Sequence, residues 1–425
     1  MAKNDDAWEK LFDEHKILSH VEREGFFRIS ADQIRKFREP RLMTKFDHRI
    51  NLPKIFSSNE LSILPVTRGD YLISHFEAWK NFEPADSAVL PAELPEYLQS
   101  LDAKNIFSEA LALNCAFASG IIADFTGDEN IFSTVSGRMS SGTFDFKVND
   151  TRRNFSHAVH VNNSQIEIDA AFEGIKFLTL IEAKRDLADD FLIRQLYYPY
   201  RTWQNKISKP IKPIFLVYSN GIFYLREYAF AEPENYNSLV LVQQKKYSVE
   251  STKITLADIQ EILRSVKPTT EPPVPFPQAD KFERVINICE LLNEKSLNRN
   301  DVTAKYDFDS RQTNYYTDAA RYLGLIEKSV SSHAVTYNLS DLGRKILRQS
   351  FRERQLSYCK CILSHKVFAD TLKASLERGA MLSTAEIIAL MKNSNLYQIG
   401  SDETFKRRSS TITSWLNWII GLIDD

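Results

Sequence analysis

Asp169, Glu182 and Lys184 stand within residues 166–184, which read IEIDAAFEGIKFLTLIEAK. Residues of these types can do phosphoryl chemistry. Two carboxylates can hold Mg²⁺ through oxygen and leave its other positions to water and a phosphate. A cation so held polarises a phosphoryl oxygen and lowers the pKa of bound water. A neighbouring lysine can orient that water and offset charge building on the phosphate. Two strands joined by a short turn must position these groups. In the first, Glu167 and Asp169 alternate with Ile166 and Ile168, which sets Asp169 on the face opposite the isoleucines. The second runs from Lys176 to Lys184. Phe177, Thr179, Ile181 and Ala183 share one face; Leu178, Leu180, Glu182 and Lys184 share the other. A strand apolar on both faces belongs in the middle of a sheet. An acid and a base buried at its end are costly without partners, and a metal shared with Asp169 would be one. The plain alternative is that acid-x-Lys is a common tripeptide on a solvated face.

The spacing resembles that of the PD-(D/E)XK nuclease superfamily, in which an acid and a gap precede acid-x-Lys on the next strand. Here the parts are Ile168-Asp169, twelve intervening residues, and Glu182-Ala183-Lys184. Ile168 stands where the superfamily's name has proline. The resemblance implies catalytic roles for Asp169, Glu182 and Lys184, with Mg²⁺ on Asp169 and Glu182. It also implies a glutamate from a preceding helix, matched by Glu109, as a further metal ligand. A glutamine followed by tyrosine on the next helix is matched by Gln195 with Tyr198 or Tyr200; Gln195 would orient the water or the lysine.

Around this core the sequence predicts an amphipathic helix over 5–20, a short helix capped by Ser30, and strand-turn-strand over 59–76. The segment EPRLMTKFDHRINLPKIF suits either DNA contact or a surface loop packed on the core. A connector over 83–96, a long helix over 101–125 and a hairpin over 131–150 turning at Ser140-Ser141-Gly142 follow. Arg138 on that hairpin could touch DNA. His157 and His160 have no other ligand cluster to support zinc. A helix over 188–198 broken near Pro199, then two strands around Ser219-Asn220-Gly221, complete the sheet. After a helix over 256–266, five prolines in KPTTEPPVPFPQ predict a stiff linker with few contacts. The order helix, helix, longer helix, wing over 281–347 is that of a winged helix. Asp309 or Ser310 would cap its third helix and Gly324 would end it. That helix offers Arg311, Gln312, Asn314 and Tyr315 early, suited to base edges. A basic run with Arg407 and Arg408 opens a last helix with a Trp415, Trp418 and Ile419 core face, suited to phosphates.

The expected domains are 1–100 (an α/β region of unclear role), 101–267 (the nuclease core), 268–279 (linker), 280–350 (winged helix) and 351–425 (helical, helix-turn-helix-like). The fold class is α/β, a restriction-endonuclease-like mixed sheet flanked by helices, with winged-helix and α-helical domains behind it. Net charge is −2 over 425 residues, yet residues 281–425 carry 21 Lys+Arg against 17 Asp+Glu. That region is the better placed to meet phosphate. Four cysteines in no framework spacing, with no signal peptide and no long apolar run, suggest a cytoplasmic protein with reduced thiols. No Gly-rich cofactor loop or P-loop is visible, so no nucleotide cofactor is implied. Together these features resemble a type II restriction endonuclease, a Mg²⁺-dependent cutter of double-stranded DNA at a specific sequence. Cutting both strands suggests a homodimer, at least on DNA. Two alternatives remain: a modification-dependent or repair nuclease of the same core, and a DNA-binding regulator with an inert nuclease fold.

Overall fold

The computed structural model describes residues 3–84, 87–299, 302, 310–331, 334–394, 396–397 and 399–424. It is a mixed α/β protein that divides into two compact units. The first comprises Met1–Leu90, Ala112–Tyr218 and Phe223–Tyr247; the second comprises Pro91–Leu111, Ser219–Ile222 and Ser248–Asp425.

The strands up to the second unit are β1 (Phe27–Ser30), β2 (Ser62–Pro65), β3 (Asp70–Ser74), β4 (Trp79–Asn81), β5 (Val89–Pro91), β6 (Phe132–Ser140), β7 (Thr143–Asn149), β8 (Ser156–Asn162), β9 (Gln165–Glu173), β10 (Leu178–Lys184), β11 (Asp190–Leu192), β12 (Ile211–Ser219), β13 (Ile222–Phe230) and β14 (Leu239–Ser248). The main sheet has seven strands in the order β5-β14-β13-β12-β10-β9-β6. β10 runs parallel to β12 and antiparallel to β9. Its central place follows from its two apolar faces: every residue from Leu178 to Ala183 is buried. The parallel step to β12 is made through the helix Arg194–Gln204. Leu196, Tyr197 and Tyr198 of that helix join Leu178, Leu180, Phe215 and Val217 in one apolar core.

The N-terminal part is two helices, Lys3–His15 and Ile17–Glu24, against the small sheet β1-β3-β2. Ser30 caps the helix Ala31–Arg35 in a capping box with Gln33, as its residue type predicts. Trp8, Phe12 and Phe56 pack edge to face, and the same core takes in Trp79 and Leu192 of the paired strands β4 and β11. Leu192 lies two residues before the helix carrying Gln195, so the N-terminal core anchors the segment next to the acid-x-Lys strand.

Several local expectations are corrected. β6 and β7 are not partners in a hairpin: β6 pairs with β9, and β7 pairs with β8. Phe144, Phe146 and Val148 of β7 find buried partners in Val161, Val159 and His157, whereas β6 is exposed along most of its length and offers no matching face. The helix expected over 101–125 is two helices, Glu109–Ala118 and Ile121–Thr126. Gly120 with φ +75° parts them and Gly127 with φ +68° ends the second. The helix after β10 does not break at Pro199 but runs on to Gln204. Beyond the proline, Arg201 Nη1 donates to the carbonyls of Asp145 and Pro233 and to Tyr197 Oη, and Thr202 Oγ1 donates to Ser141 O. Those buried bonds outweigh the ~3 kcal/mol that proline costs a helix interior. β14 adds a strand where none is expected, pairing antiparallel with β13.

In the second unit, β15 (Leu297–Asn298), β16 (Ile326–Ser331) and β17 (Ala334–Leu339) form a sheet in the order β15-β17-β16. The helices Phe282–Glu294 and Ser310–Tyr322 precede the β16–β17 pair, and the helix Asp341–Leu347 follows it. Gly324, φ +70°, lies just past the second of these helices. Asp309 is outside the described residues. The helices Phe351–Leu363, Lys366–Arg378, Thr384–Lys392 and Asp402–Ile420 share one core with them, centred on Phe282, Tyr358, Phe368 and Trp415. The proline-rich segment is not a contact-poor linker. Val274, Phe276 and Ala279 are buried, Phe276 stacks on Phe368, and Glu271 accepts from Tyr322 Oη at 2.6 Å. Apolar residues between the prolines make it a strap over this core. Among the described residues no helix is long and apolar enough to cross a membrane.

Candidate active site

The backbone pairing of β9 with β10 runs Leu178↔Glu173, Thr179↔Phe172, Leu180↔Ala171 and Ile181↔Ala170, and stops there. One more step would set Asp169 opposite Glu182. Instead the Asp169 carboxylate takes over the ladder: Ala183 N–H donates to Asp169 Oδ2 at 2.8 Å. The strands therefore part where the two acids meet, and this parting opens the site.

Glu182 is only 9% exposed. Its Oε1 accepts from Lys184 Nζ and from Gln195 Nε2, the latter at 2.7 Å. Lys184 Nζ also reaches Ala183 O at 3.2 Å. The four residues Asp169, Glu182, Lys184 and Gln195 thus come together. Burial pushes the Glu182 carboxyl up to about 7; the Lys184 ammonium pulls it down, and the carboxylates of Asp169 and Asp47 add to the rise. Glu182 and Gln195 line a crevice of about 10 Å³ with Glu167, Ile168, Leu180 and Leu196, room for roughly one water.

Asp47 is the residue whose place here sequence reasoning missed. Lys45 Nζ lies 3.4 Å from its Oδ2, while its Oδ1 is buried without a hydrogen-bond partner among the described residues. The adjoining His48 is buried, with Nε2 3.1 Å from Asp186 Oδ2 and Nδ1 2.7 Å from Asp190 O. Burial favours a neutral Asp186, but the hydrogen bond and charge of His48, with the Lys184 charge, hold its carboxyl below the usual range. In the sequence, the run Lys-Phe-Asp-His-Arg over 45–49 carries charge and an aromatic but no local sign of partners nearly 140 positions away.

Glu109 is the half-buried first residue of its helix. Among the described residues no group of three or more His, Cys, Asp or Glu side chains is gathered as a metal cage. Arg138 is exposed on β6, opposite Glu167 in the β9 register, with Nε 3.3 Å from Glu167 Oε1. His157 Nε2 lies 2.8 Å from Asp150 Oδ2, and His160 Nδ1 lies 2.7 Å from Asp145 Oδ1.

In the second unit, Arg311, Gln312, Asn314 and Tyr315 fall in the first half of the helix Ser310–Tyr322. Gln312, Asn314 and Tyr315 are half-buried, with Thr313, Tyr316 and Thr317 turned to the core. Ser401 caps the last helix, accepting from Thr404 N–H. Arg407 is exposed and Arg408 half-buried. Burial lowers the Arg408 pKa, and the charges of Tyr315 and Asp318 act on it, so the two groups of residues expected to meet DNA share one neighbourhood.

Comparison with known proteins gives three matches to family models, each described as a domain of unknown function: DUF6996 over residues 5–73, DUF6997 over 74–248 and DUF7226 over 284–424. No curated protein and no solved structure matches the chain. The middle match contains Asp169, Glu182, Lys184 and Gln195, and Asp47 and His48 fall within the first.

Proposed function

We propose that this chain is a Mg²⁺-dependent endonuclease of double-stranded DNA, of the type II restriction kind. The seven-stranded sheet would serve as a PD-(D/E)XK-like core, and the helices and strand pair after Phe282 as a winged-helix reader. The observation that carries the reading is the meeting of Asp169, Glu182, Lys184 and Gln195 where β9 and β10 part.

The donor set fits Mg²⁺. Two carboxylates with no soft ligand suit a hard cation that keeps most of its waters. A buried Glu182 pushed up to about 7 gains by meeting a positive charge. Asp169 and Glu182 would hold the ion. When bound, it supplies polarisation of the scissile phosphate and a more acidic water. The chain's own residues do the rest. Gln195, in reach of Glu182, orients the water in the adjoining crevice. Lys184 offsets charge on the phosphate as it builds. The partial burial of the pair keeps bulk water from screening these charges. In the second unit, Gln312 and Asn314 suit adenine edges, and Arg407 suits phosphates.

The test is digestion of unmethylated and methylated plasmid with Mg²⁺. Discrete fragments from unmethylated DNA are expected, and alanine at Asp169, Glu182 or Lys184 should abolish cutting while DNA binding persists. Cutting only of methylated DNA would favour a modification-dependent nuclease. Binding without cutting would leave the sheet as an inert scaffold.

A further inference from the structure

His48 lies in the segment between the helix Pro40–Thr44 and the short turn Arg49–Asn51, more than 130 positions before the acids it meets. It is 5% exposed. Its Nδ1 sits 2.7 Å from the backbone carbonyl of Asp190, which can only accept, so Nδ1 carries a proton. Its Nε2 sits 3.1 Å from Asp186 Oδ2. Burial favours a neutral Asp186, but the hydrogen bond and charge of His48, with the charge of Lys184, hold its carboxyl below the usual range, so its oxygen meets Nε2 as an acceptor. Both ring nitrogens thus face oxygens of acidic residues, a geometry that suits a doubly protonated ring set between two acids. The Asp190 carboxylate faces it as well, with Oδ1 at 3.3 Å, and that carboxylate accepts the Arg49 N–H at 3.3 Å. Arg49 Nε lies 4.0 Å from Asp190.

Asp186 comes two residues after Lys184, and Asp190 opens β11 on the way to the helix that carries Gln195. His48 thus grips both ends of the short segment between the strand with Glu182 and Lys184 and the helix with Gln195. A buried imidazolium bonded at both nitrogens would be costly to build and costly to break, which would suit it to fixing one geometry.

We propose that His48 is a positioning residue for the Glu182–Lys184 site: donating from both ring nitrogens, it fixes the Asp186 carboxylate beside Lys184 and locks the segment that aligns Lys184 with Gln195. Its role in catalysis rests on the nuclease reading; its charged, doubly bonded state does not. Outer partners of this kind commonly change activity by about 10–100-fold when lost.

The experiment has two independent readouts on the full chain. The first is nitrogen NMR of protein labelled at histidine, with the His48 signals identified by their loss in His48→Gln. Both ring nitrogens should be protonated at pH 7, and Asp186→Asn, which keeps the side chain's shape, should remove one of those protons. A neutral His48 ring in the native chain, unmoved by Asp186→Asn, overturns the proposal whether or not the protein cuts DNA. The second is cleavage of plasmid with Mg²⁺ by His48→Gln and Asp186→Asn. Each should lower kcat by about 10–100-fold with KM for DNA unchanged, and the double variant should lose no more than the worse single one. Native kcat in either folded variant, or a loss confined to KM, also overturns it. If the native chain cuts nothing, the nuclease reading falls and the NMR readout alone judges the His48 grip.

Discussion

Glu182 carries the balance of forces at the residue scale. Its carboxyl ionises at 4.5 in an unfolded chain and at about 7 in the folded one, because burial outweighs the pull of Lys184. The folded state therefore holds a proton there that the unfolded state has already lost between those values. Stability from this group is complete below about pH 4.5, falls as pH rises, and is gone above about 7. The shift corresponds to something on the order of 3 kcal/mol. Glu182→Gln, which keeps the acceptor for Lys184 and Gln195, should thus be more stable than the native chain at about pH 8 and lose that advantage by about pH 5. Urea unfolding without divalent ions measures it. A Glu182→Gln variant equally or less stable than the native chain under the alkaline condition would mean that burial does not govern this carboxyl. Mg²⁺ should reverse the order there, raising the Tm of the native chain and leaving Glu182→Gln unmoved.

At the scale of elements, the turn between β9 and β10 sets the register on which the acids depend. Gly174 N–H donates to Phe177 O at 3.0 Å, and Asp128 Oδ2 accepts from the N–H groups of Lys176 and Phe177 at 2.8 and 3.2 Å. A Cβ at Gly174 would lie 2.3 Å from Asp128 Oδ2. Gly174→Ala must therefore push out the carboxylate that holds the turn, leaving two amides without it. A loss of about 1–3 kcal/mol in urea unfolding is expected, and a native-like midpoint would show that the turn holds its register without Asp128. This turn also marks how far the sequence could be read. The strands around Asp169 and Glu182 were legible because apolar alternation and a doubly apolar run are local signals. Gln195 was legible because the resemblance gave its place on the following helix. Asp47 and His48 were not, since nothing near them records that Glu182 would fold near the first, or Asp186 and Asp190 against the second. The mispaired β6 and β7 failed for a related reason: a Ser-Ser-Gly turn is a local sign, while the better partner for Phe144 and Phe146 stands in β8. Pro199 signals a break through its own cost to a helix, but the buried bonds of Arg201 beyond it decide the outcome.

At the scale of the molecule, the chain brings together one Asp169–Glu182 pair, and a duplex presents two strands of opposite direction. On the nuclease reading, one such site would break one strand at a time. Two copies related by a two-fold axis would place one site on each strand, matching the symmetry of the duplex itself. The positive balance of residues 281–425 would bring each copy to the phosphates, with an affinity that falls steeply as salt rises. This makes a mixing experiment decisive. Asp169→Ala should bind DNA as the native chain does, because the change leaves that basic region intact. Native protein titrated with a large excess of Asp169→Ala would then act mostly in mixed pairs, each holding one working site. Supercoiled plasmid should accumulate as nicked circles, and the linear product should fall more steeply than the nicked one. If linear product fell only in proportion to native protein, with no nicked circles building up, a single copy would be making both cuts in turn. The Asp169–Glu182 site would then have to turn over on both strands within one binding event.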